Sequence, residues 1–254
     1  MLLDVNSFES FDGTKLAYDT LGDGPAVLLL HGFASDSFLN WERPGLLGRL
    51  TATGFRAIAL DQRGHGSSDK PHDPAAYGDG AMVRDARALM DHLGLETCFA
   101  VGYSMGARTT LELLTREDRV RAAVLGGVGA NMLRSREWGG AVADAMVVAD
   151  KREVTDRFAR SFRDFADLTG ADRQALAAIQ RNPRPPLEGL EKISIPVLVL
   201  CGDNDPLVGN PTELGEVIPG AKVVVVGGTH LNVVNNPQFA DELISFLEAN
   251  RDAL

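Results

Sequence analysis

The chain is poor in cysteine: its 254 residues include two, Cys98 and Cys201. Each sits inside an apolar run, and neither has a Cys or His neighbour at ligand spacing. That excludes a disulfide framework and argues against a metal site; the two thiols read as buried packing residues in a reducing compartment. Basic charge is also scarce. Lys and Arg number 25 against 35 Asp and Glu, for a formal net charge of −10. No Lys/Arg-rich tail reverses the balance locally, so neither nucleic acid nor an anionic membrane surface is an expected partner. Long apolar runs are missing. Stretches such as residues 26–30 and 196–201 are far too short to span a bilayer. Residues 1–6 show no basic region followed by an apolar core, so a cytoplasmic protein without a signal peptide is expected. Internal repeats, coiled-coil heptads and low-complexity segments are lacking too. What remains, 44% hydrophobic and 24% charged residues, suits a globular chain of one large or two small domains.

Apolar runs of strand length alternate with helical periodicity. Residues 2–11 and 15–21 flank Asp12-Gly13, a hairpin signal. Residues 26–30 are continuously apolar, as expected of a strand covered on both faces. A helix over 41–52, ended by Gly54, precedes a buried strand at 55–60, and another helix spans 81–93 with Met82, Ala86, Leu89 and Leu93 at three- and four-residue spacing. A strand leading to Ser104, the helix after it, and a strand at 122–125 follow. From 131 to 181 only helical patterns occur. The alternation resumes with a strand at 197–200, a short helix near 212–217, a strand at 223–226 and a last helix from 237 to about 250. This pattern predicts an α/β fold: a mostly parallel sheet of about eight strands, helices on both faces, an antiparallel hairpin at one edge. The all-helical stretch is too long for a connection and too short for a core of its own. It is expected to be a lid, 131–186, inserted in a core formed by 1–130 and 187–254.

The segment with the most chemistry is Gly102-Tyr103-Ser104-Met105-Gly106. An apolar run turns sharply into a helix there, the flanking glycines leave room for the turn, and the Ser104 hydroxyl projects from the sheet edge. The Met105 amide, at the helix N-terminus, can point at an oxyanion. A serine hydroxyl needs a general base, and the base needs an oriented partner. Among five histidines, His31 is expected to prop a loop and His65 to serve a structural Gly-rich turn. His72 lies in a polar loop, and His92 near the end of a helix. His230 follows Val223-Val224-Val225-Val226 and Gly227-Gly228, just past a strand end on the edge that Ser104 shares, and is the candidate base. For the acid, the strand at 197–201 ends in Gly202-Asp203-Asn204-Asp205. Asp203 can cap the loop through an Asx-type bond; Asp205 has the better reach and is preferred. No carboxylate occurs in 126–130, which removes a competing position. The chain order is Ser104, Asp205, His230.

On these residues, together with His31-Gly32-Phe33, Asp61-Gln62-Arg63-Gly64-His65-Gly66-Ser67-Ser68 and Gly228-Thr229-His230, the sequence resembles the α/β-hydrolase superfamily over nearly its whole length. The resemblance implies Phe33 as the second oxyanion amide beside Met105, and chemistry without a metal or organic cofactor. The 61–68 turn resembles a structural signature of the lid-bearing branch. Halide-displacing and epoxide-opening members carry aspartate at the nucleophile position; Ser104 here implies an acyl-enzyme instead.

In the lid segment, Phe158, Phe162 and Phe165 recur at helical spacing, with Arg157, Arg160 and Arg163 on the other faces as a solvated set. The phenylalanines either pack the lid on the domain beneath or, with Trp138 and Met132, wall an apolar acyl pocket. The expected activity is hydrolysis of a small carboxylic ester. The same residues also suit lactone hydrolysis, C–C bond hydrolysis or cofactor-free perhydrolysis, and a ligand receptor without turnover is the alternative from another class. Oligomeric state is not legible in the chain.

Overall fold

The computed structural model describes residues 6–133, 139–182 and 185–254. Eight strands form one sheet: β1 (Asn6–Glu9), β2 (Lys15–Leu21), β3 (Ala26–Leu30), β4 (Arg56–Leu60), β5 (Cys98–Tyr103), β6 (Val120–Gly126), β7 (Val197–Gly202) and β8 (Lys222–Val226). Their spatial order is β1-β2-β4-β3-β5-β6-β7-β8. β2 runs antiparallel to β1 and β4, and every other pairing is parallel. The hairpin and the parallel core thus stand where the apolar patterning places them.

β3 explains why the middle of the sheet reads as unbroken hydrophobicity. All five of its residues are buried. Val27 and Leu29 pack on one face with Leu50 of α1 (Leu46–Ala52) and Leu243 of α8 (Pro237–Ala249). Leu28 and Leu30 pack on the other with Leu89 and Met90 of α2 (Ala81–His92). Alternation is invisible in such a strand because both faces are core. Cys98 and Cys201 are buried free thiols, and burial pushes both up, to about 12 and about 11.

The helix expected over 41–52 is two pieces. A π-helical turn spans Phe38–Glu42, and α1 begins only at Leu46. Pro44 cannot donate a helical hydrogen bond, and Gly45 takes φ 82°, which ends one turn and starts the next. Trp41 is nevertheless fully buried in the same core as Leu47 and Leu50, so the apolar spacing was honoured by packing rather than by one continuous helix.

Between β6 and β7 lie α4 (Gly139–Val147), α5 (Arg157–Thr169) and α6 (Arg173–Arg181). Their inward faces form one apolar cluster with Phe33, Tyr77 and Met105. Arg163 departs from the solvated row expected on α5. It is 4% exposed. Its Nη1 donates to the carbonyls of Ala145 (2.7 Å) and Val148 (2.8 Å), and its Nε donates to Asp167 (3.0 Å). The last carbonyls of α4 have no helical donors, and a guanidinium one turn before a carboxylate supplies them. Arg157 is exposed as expected and Arg160 half-buried. Among the described residues, no helix is long and apolar enough to cross a membrane.

Candidate active site

Parallel strands deliver their following loops to one edge of the sheet, and this is where the singled-out residues converge. Ser104 follows β5 and begins α3 (Met105–Leu114). Its φ of 52° and ψ of −107° place a non-glycine residue in a conformation that L side chains rarely adopt. The flanking glycines are required by close approach. A Cβ on Gly106 would sit 1.9 Å from the Leu30 carbonyl oxygen, and one on Gly102 would sit 2.4 Å from the Gly106 carbonyl oxygen. Side chains there would push α3 off the sheet and open the turn.

His230 lies beyond β8, with its Nε2 2.9 Å from Ser104 Oγ and its Nδ1 2.7 Å from Asp205 Oδ2. The Asp205 side chain is fully buried, and its other oxygen accepts from the Leu207 amide (2.9 Å). A carboxylate at Nδ1 holds the proton on that nitrogen and leaves Nε2 free to accept from the serine. Asp203 is engaged elsewhere. Its Oδ1 accepts from the Gly228 amide (2.9 Å), so it ties the loop after β7 to the loop carrying His230. That bond to Gly228 keeps the Asp203 carboxyl below the usual range.

The loop after β3 brings Phe33 alongside. β3 and β5 are neighbours with Leu30 paired to Gly102, and a Cβ on Gly32 would lie 3.6 Å from the Ser104 Cβ. Neither the Phe33 nor the Met105 amide donates to a protein acceptor among the described residues. The Phe33 ring meets Phe162 edge-on at 5.8 Å, and Phe162 meets Phe158 at 5.0 Å. These α5 side chains are partly buried against the cluster that holds Phe33 and Met105. Met132 is elsewhere, packed against the cluster that includes Val128 and Leu214. Trp138 lies outside the described residues.

Tyr103 and Asn40 had no signal in the sequence, and of the two histidines expected to be structural the sequence hid only the partners. Tyr103, inside the Gly-x-Ser-x-Gly motif, donates from its hydroxyl to the His230 carbonyl (2.5 Å), and its ring lies 5.3 Å from the imidazole. Gly126 and Gly127 leave room for that ring. Asn40, on the π-helical turn, accepts from the Gly32 amide (2.9 Å). His31 and His65 are buried imidazoles 5.1 Å apart, edge to face. His31 Nε2 accepts from the Gln62 amide (3.0 Å), and His65 Nε2 accepts from the Ala34 amide (3.1 Å). Each is a partner 31 positions away in the chain, beyond the reach of any local pattern.

Burial disfavours charge on both rings. It lowers His31, against the pull of Asp61, and it lowers His65 to about 3, with the His31 charge adding to the effect. An unfolded imidazole takes its proton near the ordinary value of 6.5. Below that pH the unfolded chain binds the extra proton and the native chain does not, so stability present at neutral pH is lost as pH falls towards 3. For His65 the loss amounts to about 2 kcal/mol between pH 7.5 and pH 5. Urea unfolding of wild type and His65→Gln at those two pH values should show wild type losing more by that amount. Equal losses would mean that His65 is charged in the native state.

Comparison with known proteins agrees with this architecture. Residues 25–162 match the alpha/beta hydrolase fold family, to which the chain belongs. Epoxide hydrolase 2 of Siraitia grosvenorii is 40% identical over 116 residues, 45% of this chain and 36% of that enzyme. The match therefore spans little more than a third of that relative's length. A putative non-heme haloperoxidase of Mycobacterium phage D29 is 28% identical over 261 residues, 92% of this chain and 91% of that protein. Among solved structures, an esterase from Rhodococcus sp. ECU1013 superposes with a TM-score of 0.78 at 27% identity, covering 97% of this chain and 99% of that one.

Proposed function

We propose that the protein is a serine hydrolase that cleaves a small carboxylic ester through an acyl-enzyme, with Ser104, His230 and Asp205 as its catalytic residues. The observation that carries the reading is the continuous hydrogen-bonded chain from Ser104 Oγ through His230 to the buried Asp205 carboxylate. Ser104 Oγ attacks the ester carbonyl carbon while its proton passes to His230 Nε2. The tetrahedral oxyanion is held by the amides of Phe33 and Met105, a contribution of about 3–4 kcal/mol per donor. The intermediate collapses, His230 gives its proton to the departing alkoxide, and the alcohol leaves. Water then attacks the acyl group, losing its proton to His230. That proton returns to Ser104 as the carboxylic acid is released.

The α4–α6 segment, within 131–186, serves in this reading as a helical lid over the 1–130 and 187–254 core. Its support is the contact of Phe158 and Phe162 with Phe33, which makes them candidates for the acyl pocket wall. The epoxide hydrolase match does not carry its reaction here, because position 104 is serine where the resemblance implies aspartate for epoxide opening. The near full-length match to a haloperoxidase favours one second reading, perhydrolysis. There hydrogen peroxide replaces water as the attacker of the acyl-enzyme, and a peracid is released.

A p-nitrophenyl ester series of increasing acyl length separates these readings. Turnover is expected to be highest for short acyl chains and to fall steeply, about tenfold or more, once the chain outgrows the space under α5. Peracid formed from acetate and peroxide faster than ester is hydrolysed would favour perhydrolysis. Binding of esters without turnover would place the chain among receptors.

A further inference from the structure

The proposed oxyanion donor Phe33 sits in a turn closed by one backbone bond, the Ser35 amide donating to the Gly32 carbonyl (3.3 Å), and tied otherwise by side chains. The Gly32 amide donates to Asn40 Oδ1 (2.9 Å), and the Gly32 carbonyl lies 2.8 Å from His31 Nδ1. The Ala34 amide donates to His65 Nε2 (3.1 Å), and the Ala34 carbonyl accepts from Thr169 Oγ1 (2.9 Å) at the end of α5. The Phe33 amide lies between these tethered neighbours. Ala34 adopts φ 58°, a left-handed conformation that alanine does not hold on its own. Ala34 itself is fully buried in the apolar cluster that also holds Phe33, while a hollow of 490 Å³ opens beside it along Ser35, His65 and Thr169.

His65 is built for one role here. It is 1% exposed, and its Nδ1 lies 3.1 Å from the Arg63 carbonyl, which makes Nδ1 the protonated nitrogen and Nε2 the acceptor. Its ring also meets the Phe33 ring edge-on at 6.0 Å. Burial lowers its pKa to about 3, which keeps the Nε2 lone pair available across the neutral range.

We propose that His65 is a positioning residue of the oxyanion site: its Nε2 holds Ala34 in the left-handed turn and thereby aims the Phe33 amide at the oxygen that develops negative charge. The inference rests on Phe33 being an oxyanion donor. His65 never touches substrate; it acts through two residues of backbone. Donors contribute to catalysis only when fixed in advance at the place where charge appears, so loosening this loop lowers kcat more than it alters KM.

The test compares wild type, His65→Phe and His65→Gln in hydrolysis of p-nitrophenyl acetate, with amide hydrogen exchange of the peptide containing Phe33 and Ala34. Phenylalanine keeps the ring contacts but offers no acceptor. Glutamine places an oxygen near the position of Nε2. His65→Phe is expected to lose roughly 30- to 100-fold in kcat, with KM within about twofold, and to exchange faster at Ala34. His65→Gln should recover kcat to within about fivefold of wild type. Wild-type kcat in His65→Phe, or equal losses in both variants, would overturn the proposal; equal losses would mean that ring packing alone matters. Should His65→Phe not fold, Thr169→Val removes the companion tether and is expected to cost roughly three- to tenfold in kcat at constant KM. No change there overturns it as well. A wild type that hydrolyses no ester would instead defeat the oxyanion reading. The exchange comparison then still decides whether His65 holds the loop: unaltered exchange in His65→Phe overturns the proposal.

Discussion

Replacing Ser104 with alanine is expected to lower ester hydrolysis by roughly 10⁴- to 10⁶-fold while leaving the fold intact. The size follows from what the side chain does. Removing Oγ removes the proposed nucleophile, the group to which His230 Nε2 and the Asp205 carboxylate are aligned at 2.9 and 2.7 Å. Residual rate over water would come only from binding and from the two proposed oxyanion amides. The effect on stability should be small or favourable. Ser104 sits at φ 52°, and its hydroxyl is bonded to His230 rather than to the turn around it. Alanine keeps the strained backbone and leaves no buried donor unpaired. Thermal melting of the variant checks the fold, and p-nitrophenyl ester turnover checks the chemistry. A variant that is folded and still active would remove the serine from the mechanism.

The second large effect is on stability. Arg63→Met is expected to destabilise the native state by about 3–5 kcal/mol. Arg63 is fully buried and makes two bonds to Asp85, Nε to Oδ2 at 2.5 Å and Nη2 to Oδ1 at 2.6 Å. Its Nη1 reaches Asp12 (2.9 Å) in the β1–β2 hairpin and the Ala76 carbonyl (2.5 Å). One guanidinium therefore joins the hairpin, the loop after β4, the turn at Pro74–Tyr77 and α2. Without it, the Asp85 carboxylate, 1% exposed, keeps only the Ser10 hydroxyl as a partner among the described residues. Most of the cost is that orphaned charge, not the loss of a favourable pair. It follows that Arg63→Met combined with Asp85→Leu should recover a substantial part of the loss. Denaturant unfolding of the single and double variants measures both. A single-variant loss under about 1 kcal/mol would mean that water reaches Asp85 freely.

The parts of the fold legible in the sequence were those with local causes. β3, β5 and β7 are buried on both faces, so their apolar runs are continuous, and loops rich in glycine or charge mark their ends. Ser104 and Asp205 stand just past the ends of β5 and β7, and His230 a few positions past the end of the half-exposed β8, which made their convergence on one edge readable from the parallel topology. Asp203 was separable from Asp205 by reach alone. Other features depend on partners remote in the chain. The break at Pro44-Gly45 was masked because Trp41 and Leu47 still face the same core, which imitates one helix. Arg163 looked like part of a solvated row because the carbonyls it binds belong to the end of α4 and the residue after it, 15 to 18 positions earlier. His65 looked like a turn residue because its bond to Ala34 spans 31 positions. Tyr103 gave no sign of reaching the His230 carbonyl, 127 positions on.

In the proposed mechanism the reaction passes through an acyl group carried on Ser104. Its most direct measurement is intact-protein mass spectrometry of the wild type, mixed with p-nitrophenyl acetate and quenched in acid within the first turnover, followed by peptide mapping. A mass increase of one acetyl group is expected, confined to the peptide containing Ser104 and absent in Ser104→Ala. Rapid turnover with no adduct, or an adduct on any other residue, would contradict it.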